Sequence, residues 1–153
     1  MNNQEFLEYI FEKLENLDGF SSGKMFGGHV LRRHSLPIAL IFQNEIFLKA
    51  DAENKSFYQD AGAEVFYYHK GGKRIEISNY KVPAEILEDD TLFEKWIMTA
   101  YEAAKRIEMK KFKYQTVKFG STVFLGFGYL NRSSSFEDFY ENFLNINASV
   151  ILN

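Results

Sequence analysis

Between Ile38 and Lys49 the chain turns back on itself almost at once. Ile38 to Phe42 is an unbroken apolar run, and Asn44-Glu45 leads straight into Ile46-Phe47-Leu48-Lys49. Strands joined this tightly pair antiparallel, since a parallel pair needs a crossover of about a dozen residues or more. The unbroken apolar character of the first run is that of a strand in the middle of a sheet. An antiparallel sheet is therefore the starting point for the rest of the chain.

Further strands flank this pair. Lys24 to Arg33 contains Met25-Phe26-Gly27-Gly28-His29-Val30-Leu31 and reads as one strand. Its paired glycines suggest a bulge or a close backbone approach, and His34-Ser35-Leu36-Pro37 turns the chain after it. Val65 to Tyr68 and Arg74 to Ser78 surround Gly71-Gly72, a hairpin signal.

Helical spacing appears on both sides of the strands. From 5 to 17, Phe6, Ile10, Leu14 and Leu17 share a face, with Asn2 or Asn3 as cap and Asp18-Gly19 as the stop. Asp51 is placed to cap a helix reaching about Ala61, where Gly62 ends it. Pro83 opens a turn of helix at Ala84 to Leu87. A long helix then begins near Asp90 or Thr91, with Leu92, Trp96, Ala100, Ala103, Ala104 and Ile107 as its apolar stripe. The order α-β-β-β-α-β-β-α predicts a two-layer α+β fold, its antiparallel sheet spanning 24 to 79 with helices on one face. Trp96 is expected to be buried between the long helix and the sheet.

Residues 1–110 read as one domain and 111–153 as a strand-helix extension. In the extension, Ser121 to Leu130 alternates like a strand, and Phe136 to about Ile146 has helical spacing. Phe136, Phe139, Tyr140, Phe143 and Leu144 form a complete apolar stripe. A stripe of this size needs covering, so it is expected to lie on the open sheet face or to join two copies in a homodimer.

Composition bounds the chemistry. The 153 residues include no cysteine, which excludes disulfides and thiolate sites. The N-terminus lacks the pattern of a signal peptide, and no apolar run approaches the ~20 residues of a membrane helix. The expectation is a soluble, cytoplasmic protein. A net charge of −3 argues against a chain that coats nucleic acid. Positive charge does gather locally at Lys105, Arg106, Lys110, Lys111, Lys113 and Lys118, with Glu108 the single acid among them. This stripe reads either as a solvated helix end or as a contact for phosphate or an acidic protein surface. Arg32, Arg33, Lys73, Arg74 and Lys81 form a second candidate interaction surface, the alternative being charges that keep hairpin tips soluble.

No catalytic, cofactor or metal site is expected. His29, His34 and His69 match no metal spacing. Glu88-Asp89-Asp90 precedes the long helix, where acids suit capping and the helix dipole. There is no Gly-x-Ser-x-Gly elbow, and Ser133-Ser134-Ser135 reads as a loop with Ser135 as a cap.

Several segments together resemble the TfoX/Sxy N-terminal domain. They are Met25-Phe26-Gly27-Gly28, then Ile46-Phe47-Leu48-Lys49-Ala50-Asp51, then Gly72-Lys73-Arg74 leading to Ser78-Asn79-Tyr80-Lys81-Val82-Pro83, then Ala84-Glu85-Ile86-Leu87 and the long helix. The resemblance implies a fold similar to the type III secretion-chaperone class. It also implies a regulator of natural competence, similar in role to co-activators that work with the cyclic-AMP receptor protein. The family brings no catalytic residues to transfer. Its full-length competence regulators carry a second, helix-hairpin-helix-like domain, and residues 111 to 153 show no such pattern. The expected function is thus a non-enzymatic protein-binding regulator, with the cyclic-AMP receptor protein or transcription machinery as partner and no specific DNA binding alone. A chaperone-like or scaffold module binding a peptide or its own copy is the alternative.

Overall fold

A computed structural model describes residues 1–118 of the chain, with side chains through Phe112. The chain divides into two compact units, Met1–Lys105 and Arg106–Asn153. The predicted strand at 121 to 130, the helix from Phe136 and its stripe lie outside the described residues. Of the second unit only the C-terminal part of one helix is described.

The first helix, α1 (Asn3–Lys13), starts where its capping chemistry dictates. Asn2 accepts from the amides of Gln4 and Glu5, and the Glu5 side chain accepts from the Asn2 amide at 2.8 Å, a reciprocal box that satisfies orphan donors. Phe6, Leu7 and Ile10 are buried. The helix stops at Lys13, short of the expected 17, but Leu14 continues the buried line at 1% exposure.

Six strands follow in one antiparallel sheet: β1 (Phe20–Met25), β2 (Gly28–Arg33), β3 (Leu36–Phe42), β4 (Glu45–Lys49), β5 (Val65–Lys70) and β6 (Lys73–Lys81). Their spatial order is β1-β2-β3-β4-β6-β5. The segment expected to be one strand from Lys24 to Arg33 is in fact split by a hairpin. Met25 pairs with Gly28, leaving Phe26-Gly27 as a two-residue turn in place of a bulge. The two residues carry φ of +51° and +76°. Positive φ at both positions is the type I′ pattern, whose twist matches that of the flanking strands.

The same device recurs at every hairpin of the sheet. His34-Ser35, Gln43-Asn44 and Gly71-Gly72 are two-residue turns with positive φ throughout. Asn3 of α1 ties two of the turns together, donating to Gly27 O and accepting from the Asn44 amide.

After β4, Asp51 accepts from the amides of Glu53 and Asn54 in the turn that leads into the short helix α2 (Lys55–Asp60), whose cap position is held by Asn54 in place of the expected Asp51. Asn54 is buried and donates to Lys49 O and Thr99 O, joining β4, α2 and the long helix. Pro83 precedes α3 (Ala84–Glu88). Asp89 accepts from the Leu92 amide at 2.9 Å and so caps α4 (Asp90–Lys118), while Asp90 pairs with Lys13 of α1.

The helix layer meets the sheet through aromatic side chains. Tyr58 of α2 stacks on Tyr80 of β6, and Trp96 lies 5.3 Å from both Phe57 and Tyr58. Trp96 is buried as expected, at 4% exposure, but its ring neighbours belong to α2. Leu92 is exposed, and Phe93 and Ile97 take the buried positions beside Trp96, Ala100, Ala103 and Ala104.

Candidate interaction face

Strand alternation sorts the sheet residues onto two faces. Leu48 pairs with Tyr80, which stacks on α2, so this row marks the helix side. Lys49 pairs with Asn79 on the opposite side, together with Phe47 and Lys81. Phe66 meets Phe47 at 4.9 Å and Phe42 at 5.9 Å, placing β5 residues Phe66, Tyr68 and Lys70 on that second face. Their partners Ile77, Ile75 and Lys73 follow.

This second face curls into a cleft of about 230 Å³. Met25, Phe26, Val30, Leu40, Ile77 and Asn79 are among the residues that line it. Phe26, at the β1–β2 turn, stacks on Tyr68 of β5 with ring centroids 6.2 Å apart. The two hairpins at opposite ends of the strand order therefore meet across the face. Gly28 permits the curl: a Cβ there would sit 2.0 Å from Ile41 O, so no other residue fits at this crossing. Phe26 remains 65% exposed and Met25 40% exposed.

The charges expected to form one surface are dispersed. Arg33 is not available to a partner, being 8% exposed. It donates to Asp18 O at 3.0 Å and to the Asp18 carboxylate at 3.2 Å, and its guanidinium lies over Tyr101 at 4.8 Å. This hydrogen bond, with the charge of His34, holds the Asp18 carboxyl below its ordinary value. Arg74 is on the helix side of the β5–β6 hairpin, over Tyr67 at 4.0 Å and paired with Glu76 at 2.9 Å. Lys81 ends β6 away from the hairpin tip and pairs with Glu45, which raises the lysine above its usual range. Arg32 and Lys73 share the cleft side, Arg32 extending over Gly23 of β1.

On α4, Lys105 pairs with Glu102 at 2.9 Å and lies over Tyr101, while Lys111 faces Glu108 at 3.8 Å. Lys110 is exposed and Arg106 half-buried. These pairs make the stripe less positive than its lysine count suggests. The histidines do not converge: His34 faces Asp18 and Tyr101, and His69 meets Tyr67 on the helix side. Among the described residues no group of three or more His, Cys, Asp or Glu side chains is arranged to hold a metal ion. No described helix is long and apolar enough to cross a membrane.

Sequence reasoning missed Lys49 and Lys70 as members of the cleft face, and missed Phe26 as an exposed aromatic. The alternation that reveals them depends on the hairpin at 26–27, which was hidden within an apparent single strand.

The TfoX N-terminal domain family matches residues 12–104, a span from the end of α1 through about the first half of α4. The chain belongs to that family. The strand and turn segments carrying the resemblance lie within the matched span, including the Phe26-Gly27 turn, Gly28 and the β5–β6 hairpin, while the long helix runs past its end. The α+β sheet architecture is thus the scaffold of a TfoX N-terminal domain, and membership suggests a competence-related regulatory module. No curated protein matches the chain.

Proposed function

We propose that this TfoX N-terminal domain is a non-enzymatic regulator that works by binding protein, with the cyclic-AMP receptor protein or RNA polymerase as the partner class. The family match over residues 12–104 carries the reading. The cleft face supports it, because a cleft edged by exposed Phe26 and Met25 is a surface of the kind partners bury. Net charge of −3 supports action through protein contacts over independent DNA binding. The reading places the protein in the cytoplasm.

The test is affinity capture of the full chain from cells, with mass spectrometry of what comes with it. Enrichment of the cyclic-AMP receptor protein or RNA polymerase subunits is expected. Reproducible capture of unrelated clients alone would support the chaperone-like alternative, which the same face and the outermost position of β1 and β5 among the described strands favour. Self-association through Phe136, Phe139, Tyr140, Phe143 and Leu144 belongs to this proposal. Light scattering of the full chain against a chain ending at Lys118 is expected to show a dimer only for the former.

A further inference from the structure

The cleft face is charged in a way the whole chain is not. Lys81 is engaged there by Glu45, with Glu64 nearby, and the face also carries the cations Arg32, Lys70 and Lys73. The chain as a whole carries −3. Among the described residues, this face is therefore positive where the chain as a whole is acidic. Arg32 stands on the β1–β2 side of the cleft, and Lys70 and Lys73 at the tip of the opposite hairpin. Between them the cleft is lined mainly by apolar side chains, with Lys49 and Asn79 as its polar members.

A second, independent observation concerns Phe26. It occupies the first position of a type I′ turn at φ +51°, where Asn, Asp or Gly is favoured. A bulky side chain at positive φ is strained, and here it is 65% exposed, so burial does not repay the strain. Strain held at an exposed aromatic points to a use for that side chain.

We propose that this face docks an acidic, amphipathic peptide segment of a partner protein. Large apolar residues of the peptide enter the cleft between Phe26 and Ile77, and its carboxylates meet Arg32, Lys70 and Lys73. This deepens the protein-binding reading above and depends on it only for the claim that a partner exists. The cleft lining favours apolar anchors, whereas the cations around it favour carboxylates by charge complementarity. A nucleic acid would bring the charge but no side chains for an aliphatic cleft.

The experiment uses the full chain and a dye-labelled peptide alternating Asp and Glu with Leu and Phe, followed by fluorescence anisotropy. Controls are the same peptide with Lys at each acidic position and a labelled single-stranded oligonucleotide. Saturable binding of the acidic peptide alone is expected, weakening with added salt. Phe26→Asn should weaken it by about tenfold or more without lowering the melting temperature, since Asn suits the turn. A Lys70→Glu, Lys73→Glu double variant should do the same.

No saturable binding overturns the proposal, as does equal binding of the basic peptide, preference for the oligonucleotide, or indifference to both variants. If a second copy or residues 119–153 already occupy the face, the peptide fails to bind the full chain, and that also overturns it. Cellular capture separates the two readings. Transcription components still captured by the Phe26→Asn chain would sink this face and leave the regulator reading intact. Peptide binding without such capture would do the reverse.

Discussion

Ser35 shows at one position what the turns of this protein tolerate. It sits at φ +69° in an exposed two-residue turn, where an L side chain is unfavourable and glycine is not. Ser35→Gly is expected to stabilise the fold by about 0.5–1 kcal/mol after allowing for glycine's extra unfolded freedom; a lower urea midpoint would contradict this. Asp18 gives a pH-dependent counterpart. Its carboxyl is lowered in the folded state by the hydrogen bond from Arg33 and the charge of His34, so the folded state binds its proton less readily than the unfolded one. That contribution is complete above the unfolded value of about 4 and is lost as pH falls through the lower folded value. Stability of wild type relative to Asp18→Asn should therefore shrink as the pH falls below about 4, and a constant difference there would show that Asp18 does not anchor Arg33. Residue types explain why only part of this was legible in the sequence. Gly71-Gly72 announces its turn because glycine favours positive φ, whereas Phe26-Gly27, His34-Ser35 and Gln43-Asn44 hide the same geometry behind side chains that usually avoid it.

Among the elements, the short helix α2 joins the long helix to the sheet. Its six residues carry Phe57 and Tyr58, which connect Trp96 of α4 to Tyr80 of β6. Trp96→Ala is expected to cost roughly 3–5 kcal/mol, read as a loss in the denaturant midpoint. A loss below about 1 kcal/mol, the size of an ordinary surface change, would mean the α2–α4 contact adds little. The helices were legible from their spacing because buried faces recur with the helical period. The exact stripe of α4 was not, since Leu92 and Phe93 are adjacent and periodicity alone does not say which faces the core. The candidate face was less legible still. Its cations come from β2, β4, β5 and β6, and only the pairing register brings them to one side.

For the molecule as a whole, the strand order separates two halves of the sheet. β1 to β4 follow one another as neighbours, but β6 stands between β4 and β5. The unsigned cost of this arrangement is kinetic. A meander closes through short loops, so its contacts form early, whereas β4–β6 pairing must wait for closure of the long connection through α2. Because β6 is the strand that β5 pairs with among the described residues, β5 joins the sheet as one arm of the β5–β6 hairpin. Gly71-Gly72 thus lies on the route to the folded state as well as in it. Substituting Gly72→Ala, at φ +73°, is expected to slow refolding more than it speeds unfolding in stopped-flow chevrons. Ser35→Ala in the meander provides the comparison, and an effect of Gly72→Ala confined to the unfolding limb would show that the second hairpin assembles after the rate-limiting step. A chain wired this way docks the hairpin that carries Lys70 and Lys73 onto a meander that already holds Arg32 and Phe26, so the cleft has both of its walls only once the long connection has closed.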